Sequence, residues 1–331
     1  MQRTNTPQPS LQHRVDVSSF GICAMLISTA LLGSSTAWAI DPSVKQLRIG
    51  FQKSSVNLVI AQQQKLFEHE FPNAKISWNE FPGGPQILEA LAVGSIDIGS
   101  TGDTPPVYAQ AGNKPVRYIA YETAKPFASA LLVPAFSKIS QVSQLKGKRI
   151  AVHRGSSAHY LLLQAITQAG LTWGDIQPVW LSPADARAAF QKGAVDAWAI
   201  WDPYYASAVL EDKAKLLTTG NGLSPNYTFY LASAAFVQQH PQAIKAFIQQ
   251  INRADQWVQR HPADTAALFS HSTGVKLNVS QLFLKHRPNP ATTAPLNRTV
   301  IAAQQHLADR FSQLKIIPKS IQIKQAVWAG N

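Results

Sequence analysis

Cysteine is almost absent from this sequence, with one residue, Cys23, in 331. It lies inside an N-terminal apolar run, and a chain that sheds this segment carries no thiol, which excludes disulfides, thiol nucleophiles and cysteine metal ligands. Acidic residues are also scarce, 18 Asp and Glu against 30 Lys and Arg, so the formal charge is +12. A field of that sign favours anionic ligands and acidic surfaces without constraining the fold. The cations are scattered rather than gathered into a stripe or interleaved with aromatics, and nucleic-acid binding is not expected. Neither a Gly-x-Ser-x-Gly nucleophile elbow nor a His-Glu-x-x-His metal motif occurs, and the nine histidines are dispersed. Elbow-type hydrolysis and metal chemistry therefore have no sequence support.

Long apolar runs are missing too. The one near the N-terminus, from Phe20 to Gly33, is too short to span a bilayer. With Arg3 and Arg14 before it and Ala37-Trp38-Ala39 after it, residues 1–39 have the charged, apolar and small-x-small order of a secretory signal. Cleavage after Ala39 is expected to release a periplasmic chain of 292 residues with a charge of +11, enough for two ordinary domains. Lipidation at Cys23 is disfavoured. Phe20-Gly21-Ile22 precedes it and the run continues beyond it, whereas a lipid-modified cysteine follows a small residue and ends its run.

What the chain does contain is a repeat. RIGFQKSS, from Arg48, and RIAVHRGSS, from Arg149, are near-copies, and each leads into a helical pattern, NLVIAQQQKLF or AHYLLLQAITQAG. A second strand follows in each copy, ISWNEF from Ile76 and IQPVWL from Ile176. A proline-primed helix start comes next, Gly84-Pro85 or Ser182-Pro183, with Ser182 as N-cap. Short strands follow, beginning after Gly94 and Gly193. The pairs Arg48/Arg149, Pro85/Pro183 and Gly94/Gly193 lie 101, 98 and 99 residues apart. Two related β-α-β-α-β lobes with mainly parallel sheets are predicted, and ligands of such sheets sit outside the carboxyl ends of the strands. The last hundred residues read as helices and a tail that return to brace the first lobe, with HRPNPATTAPLN, from His286, as a loop.

The turns at those strand ends carry the candidate chemistry. Gly155-Ser156-Ser157 opens a helix, so backbone amides and hydroxyls can together hold an anion, although either serine could simply cap its own helix. Ser100-Thr101-Gly102-Asp103 is a similar turn, and Trp198-Ala199-Ile200-Trp201-Asp202 is its counterpart in the second lobe. Hydroxyls and amides on one side and an indole wall on the other suit a small ligand with an anionic head and an apolar body. Trp198 reads as core and Trp201 as the cleft residue, while Asp103 and Asp202 are open between cap and site. Ser156 or Ser157 with His159 and Asp202 supplies the residue types of a triad. Residues two or three apart at a helix start are poorly placed to act on one another.

The stretches RIGFQKSS, EFPGGPQILEALAVGSIDIGSTGDTPPVYAQA, HRGSSAHYLLLQA, LSPADARAAFQKGAVDAWAIWDPYY and KHRPNPATTAPLN closely resemble periplasmic aliphatic sulfonate-binding proteins, over nearly all of the exported chain. The resemblance implies a type II two-lobed binding protein, α/β, with the ligand between the lobes. Lobe I would hold 40–133 and 233–331, and lobe II 134–232. It implies a monomer without cofactor or metal that delivers an alkanesulfonate to an inner-membrane ABC permease with its ATPase and performs no catalysis. Taurine, nitrate and sulfate-ester binders share this outline, as do pyrimidine-forming enzymes, which would need reactive groups and an intracellular address. Carried over residue by residue, the pattern places Gln52, Ser54, Ser55, Thr101, Gly102, Asp103, Gly155, Ser156, Ser157, Trp201 and Asp202 around the ligand. His153-Arg154 and Tyr160 depart from it and make a bulkier, more cationic mouth.

Overall fold

The computed structural model describes residues 43–330; the expected signal segment and its cleavage site lie outside them. The first unit runs β1 (Gln46–Phe51), α1 (Val56–Gln63), α2 (Leu66–Glu70), β2 (Lys75–Glu80), α3 (Gly84–Ala92), β3 (Ile98–Gly102), α4 (Thr104–Ala111) and β4 (Val116–Glu122). The second runs β5 (Ser129–Val133), β6 (Arg149–Val152), α5 (Ser157–Gln168), β7 (Gln177–Trp180), α6 (Pro183–Gln191), β8 (Ala197–Trp201), α7 (Tyr204–Glu211) and β9 (Lys215–Thr219). The chain then returns through β10 (Thr228–Ser233), α8 (Ala234–Gln239), α9 (Pro241–Arg260), α10 (Pro262–Thr273), α11 (Leu277–Lys285), β11 (Thr293–Ala294) and α12 (Arg298–Gln313).

Two sheets result, ordered β11-β4-β10-β3-β1-β2 and β7-β6-β8-β5-β9. The repeat is visible in the pairing: β1 lies parallel between β2 and β3, as β6 does between β7 and β8. It extends to side chains. Arg48 grips Asp97 with Nε at 3.0 Å and Nη2 at 2.6 Å while its own N–H donates to the same carboxylate at 2.8 Å. Arg149 grips Asp196 in the same way, at 3.2, 3.1 and 2.8 Å. Each guanidinium also donates to the carbonyl of a glycine, Gly94 or Gly193. Both glycines have φ of 68°, a conformation that side-chain-bearing residues adopt at a cost. The forked geometry ties the start of the third strand to the start of the first in each lobe.

Beyond these three-strand cores the expectation of mainly parallel sheets needs correcting. β10 runs antiparallel to both β3 and β4, and β5 antiparallel to both β8 and β9. The sheets are mixed because β5 and β10 are the strands by which the chain arrives from the opposite lobe. This also moves the expected boundaries. β5 belongs to the second sheet and β10 to the first, so the crossovers are 123–128 and 220–227 rather than 133/134 and 232/233.

The returning helices do pack on the first lobe. Phe247 of α9 stacks on Phe67 at 4.9 Å, and Phe311 of α12 packs edge-on to Tyr108 of α4 at 5.7 Å. Trp198 is fully buried in the core of the second lobe, as the alternation around it predicts. Among the described residues, no helix is long and apolar enough to cross a membrane.

Candidate functional site

Four strands, β1, β3, β6 and β8, end at the same gap between the sheets, and the turn after each leads directly into a helix. Between them lies a cavity of about 50 Å³, several times the ~10–15 Å³ that one water needs. Its walls include Gln52, Ser54 and Ser55 after β1, Thr101 and Gly102 from the end of β3, Ser156 and Ser157 after β6, and Trp201 and Asp202 at the end of β8. Nine of the eleven residues expected from the sequence thus meet in one place. Asp103 does not line it. That residue is fully buried behind the wall, one carboxylate oxygen accepting from the Thr104 hydroxyl at 3.1 Å, and burial pushes its pKa up. Gly155 lies instead on a groove at the cleft rim, with φ of 74° and the Tyr108 ring and Pro85 beside it.

The hydroxyls divide by what they already do. Ser156 is committed to local structure: its Oγ–H donates to the His153 carbonyl at 2.7 Å and its oxygen accepts from the His159 N–H at 3.4 Å, capping α5. Ser157 is different. Its oxygen accepts the Asp103 N–H from the other lobe at 3.1 Å, and the hydroxyl, through its bond to the Asp103 side chain, offsets part of the upward push that burial gives that carboxyl. Thr101 Oγ1 is buried with no hydrogen-bond partner at all. Natural proteins rarely leave such an atom unmatched. The orphan amides of the first turn of α5 sit at the same place and carry the positive end of the helix dipole.

Ser100 opens, and Pro105 closely follows, the turn singled out from the sequence; the remaining wall residues escaped sequence reasoning: Gly84, Lys125, Ala128, Asn226, Thr228 and Phe283. Lys125 and Asn226 come from the two crossovers, and the Asn226 side chain donates to the Lys125 carbonyl at 3.0 Å. Thr228 faces Gly102 through the antiparallel register of β10 and β3. A long-range strand pairing of this kind leaves no local pattern to read. The lysine is buried, and its ammonium donates to Glu122 at 2.9 Å. Behind it, Arg287, Asp255, Asn57 and Tyr230 complete a buried polar layer: Arg287 donates to Asn57 at 3.0 Å, Asn57 to Asp255 at 2.6 Å, and Tyr230 to Glu122 at 2.6 Å. Burial alone would raise the Glu122 pKa, but Lys125 and Arg287 outweigh it and hold the carboxyl at about 2.

The lobes are closed on one another. Asp202, 1% exposed, meets His286 of the first lobe at 2.7 Å, and Glu211 meets Lys276 at 2.7 Å. Burial pushes the Asp202 carboxyl up to about 6, with His286 offsetting only part of the effect. A triad is not assembled. Asp202 is engaged by His286, while the ring of His159 stands 3.4 Å from the Tyr108 hydroxyl and 4.9 Å from Trp173. Burial, then Arg154, push the His159 pKa down to about 4, leaving a neutral ring. Among the described residues no group of three or more potential ligands is placed to hold a metal ion.

The NMT1-like family matches residues 41–271. Among solved structures, the alkanesulfonate-binding protein of Xanthomonas axonopodis pv. citri bound to MOPS is 45% identical, with a TM-score of 0.82 over 86% of this chain and 98% of its own. The periplasmic aliphatic sulphonate-binding protein of Escherichia coli is also 45% identical, with a TM-score of 0.79 over 86% of this chain and 92% of its own. The taurine-binding periplasmic protein of Escherichia coli (strain K12) is 28% identical over 298 residues, 85% of this chain and 91% of that one. All three relatives are binding proteins. With this family match, and 45% identity to two sulfonate binders of the same fold, the chain belongs to the NMT1-like family and is a relative of the aliphatic sulfonate-binding proteins.

Proposed function

We propose that this chain is the periplasmic substrate-binding subunit of an ABC importer for aliphatic sulfonates, a receptor rather than an enzyme. It would leave the cytoplasm on a signal peptide cleaved after Ala39, act as a monomer and hand its ligand to the membrane permease. The observation that carries the reading is the buried, unpartnered Thr101 hydroxyl in an interlobe cavity whose opposite wall carries Ser157 at the N-terminus of α5. A sulfonate head is ionised at every physiological pH and offers three acceptor oxygens. The two hydroxyls and the first-turn amides of α5 would hold it, each charge-assisted bond contributing about 1.5–3 kcal/mol in a site from which water is excluded. Trp201, Ala128 and Phe283 would cover the carbon chain. The half-buried Lys53 and the exposed Arg154 would steer the anion inward. The lobes would hinge at the two crossovers, closing as the Asp103 amide reaches Ser157.

Thermal unfolding of the chain from Ile40, freed of ligand, against methane-, ethane- and pentanesulfonate, taurine, sulfate and nitrate tests the ligand class, because stabilisation grows with ligand concentration over Kd. A shift confined to sulfate, nitrate or taurine would refute the alkanesulfonate assignment. The two serines then separate. Ser157→Ala and Thr101→Val should each weaken binding roughly tenfold or more on the scale of one charge-assisted bond. Ser156→Ala should instead lower the unfolding temperature of the free protein, removing a cap worth ~1 kcal/mol. Unchanged titration calorimetry for Ser157→Ala would take Ser157 out of the site.

A further inference from the structure

Away from the cavity, α5 meets the first lobe through aromatic rings. Tyr160 packs on Phe311 of α12 at 5.7 Å, and Phe311 packs in turn on Tyr108 of α4. His159 stands inside this cluster, 4% exposed. Its ring lies 5.8 Å from Phe311 across the gap, and 4.9 and 5.1 Å from Trp173 and Trp180 of its own lobe. The contacts around the ring fix its protonation. The Gly155 N–H points at Nδ1 from 3.4 Å, and the Tyr108 hydroxyl of the other lobe stands 3.4 Å from the same atom. A backbone N–H can only donate, so Nδ1 carries a lone pair and the hydrogen is on Nε2. A second proton would have to enter at Nδ1, against an N–H already aimed there, and would leave a cation in a space closed off from water.

The groups facing His159 give that proton no help. Arg154, whose guanidinium lies over Trp180 at 5.4 Å, repels it. Tyr108 stays protonated, since burial pushes its hydroxyl up to about 12. Asp103 and Arg310 act on the neighbouring Tyr160, and Glu89 and Lys114, across the rim groove from Arg154, pair with each other. We propose that closure of the lobes expels a proton from His159, so that this imidazole must be neutral for the receptor to grip its ligand. This rests on the reading of the chain as a receptor that closes on its ligand. With the lobes apart, the ring loses the cover of Tyr108 and Phe311 and its pKa returns towards the ordinary 6.5; in the closed form burial, then Arg154, hold it at about 4. A proton that binds the open form more tightly opposes closure below the open-form pKa and leaves it unopposed above. Asp202 acts with the opposite sign, because burial raises its pKa, and His153, lowered by burial, acts with the same sign as His159. The effects partly offset in the unaltered protein, and substitution separates them.

His159→Phe keeps a ring against Phe311 and Trp173 and has no proton to lose. Ethanesulfonate titrated into the unaltered and variant proteins, in buffers free of sulfonate, gives the ratio of their Kd values, in which Asp202 and His153 cancel. That ratio, unaltered over variant, should rise by roughly tenfold or more from pH ~7.5 to pH ~5. At pH ~5.5 binding to the unaltered protein should also release about one more proton than binding to the variant, read from the heats in two buffers of different ionisation enthalpy. His159→Gln, whose amide oxygen can accept the Gly155 N–H, should behave in the same way and serves if the first variant does not fold. A purely structural role would change Kd equally at both pH values and leave the proton count alone, and that result overturns the inference. If the unaltered protein fails to bind ethanesulfonate at pH ~7.5, the receptor reading falls and this inference with it. If it binds but the ratio is the same at both pH values, this inference alone falls.

Discussion

A single methyl group at Gly102 should separate closure from folding. A Cβ built there would stand 2.1 Å from Ser157 Oγ and 3.2 Å from Ser157 Cβ, across the gap between the lobes. Rotating the serine hydroxyl relieves the first clash but breaks its bond to the Asp103 N–H, a loss of about 0.5–1.5 kcal/mol. The Cβ contact remains too short, and overpacking of this kind costs about 1–3 kcal/mol. Together these weaken binding by about 1.5–4.5 kcal/mol, or roughly 10- to 2,000-fold in Kd. The open form has no such clash, and Gly102 is not in the left-handed region. Its replacement by Ala should leave the unfolding temperature of the ligand-free protein unchanged or slightly raised, through the lower entropy of the unfolded chain. Titration calorimetry with ethanesulfonate, unfolding of the free protein, and small-angle scattering with and without ligand read the three consequences. Gly102→Ala should bind weakly and fail to compact, and adding Ser157→Gly should restore compaction though not full affinity. Unchanged affinity and compaction for Gly102→Ala would refute the closed contact. A fall in unfolding temperature matching the fall in affinity would mean that Gly102 matters to the fold instead.

Two further expectations concern the charges around the cavity. Glu122→Gln leaves Lys125 and Arg287 in the interior without their nearest acid and should cost about 3–5 kcal/mol, lowering the unfolding temperature by on the order of 10 °C at this chain length. Asp202 should act with the opposite sign to an ordinary ion-paired carboxylate. With its pKa raised from 3.8 to about 6 by burial, its contribution is fully present below pH ~4 and is lost as pH rises through about 6, a swing of ~3 kcal/mol. Asp202→Asn should gain stability relative to the unaltered protein by about that amount between pH ~4 and ~7 in denaturant titrations. A constant difference between the two across that window would refute the assignment.

The parts of this fold that could be read from the sequence are those with local, repeated signals. Strand, polar turn and helix recur at a spacing near one hundred residues, and the turns must fall at the carboxyl ends of parallel strands. Nine of the seventeen wall residues followed from that periodicity and from the family resemblance, and so did the burial of Trp198, whose neighbours alternate. What stayed hidden depends on the chain crossing between lobes. β5 and β10 look like any other apolar strand, and nothing in Ser129–Val133 or Thr228–Ser233 says that each pairs in the sheet opposite to the one before it. Lys125 and Asn226 reach the cavity only because they lie on those crossovers. The roles of hydroxyls were hidden for a related reason. Ser156 and Ser157 are chemically alike and adjacent, and both fit a helix cap; what separates them is that Ser157 faces an amide from the other lobe while Ser156 turns back on His153. His286 sits in a stretch rich in Pro and Thr that composition marks as a loop, yet closure brings it within 2.7 Å of Asp202. The contacts that the sequence hides are thus the ones that two lobes supply jointly. Local sequence can name each partner, but only the closed geometry pairs them.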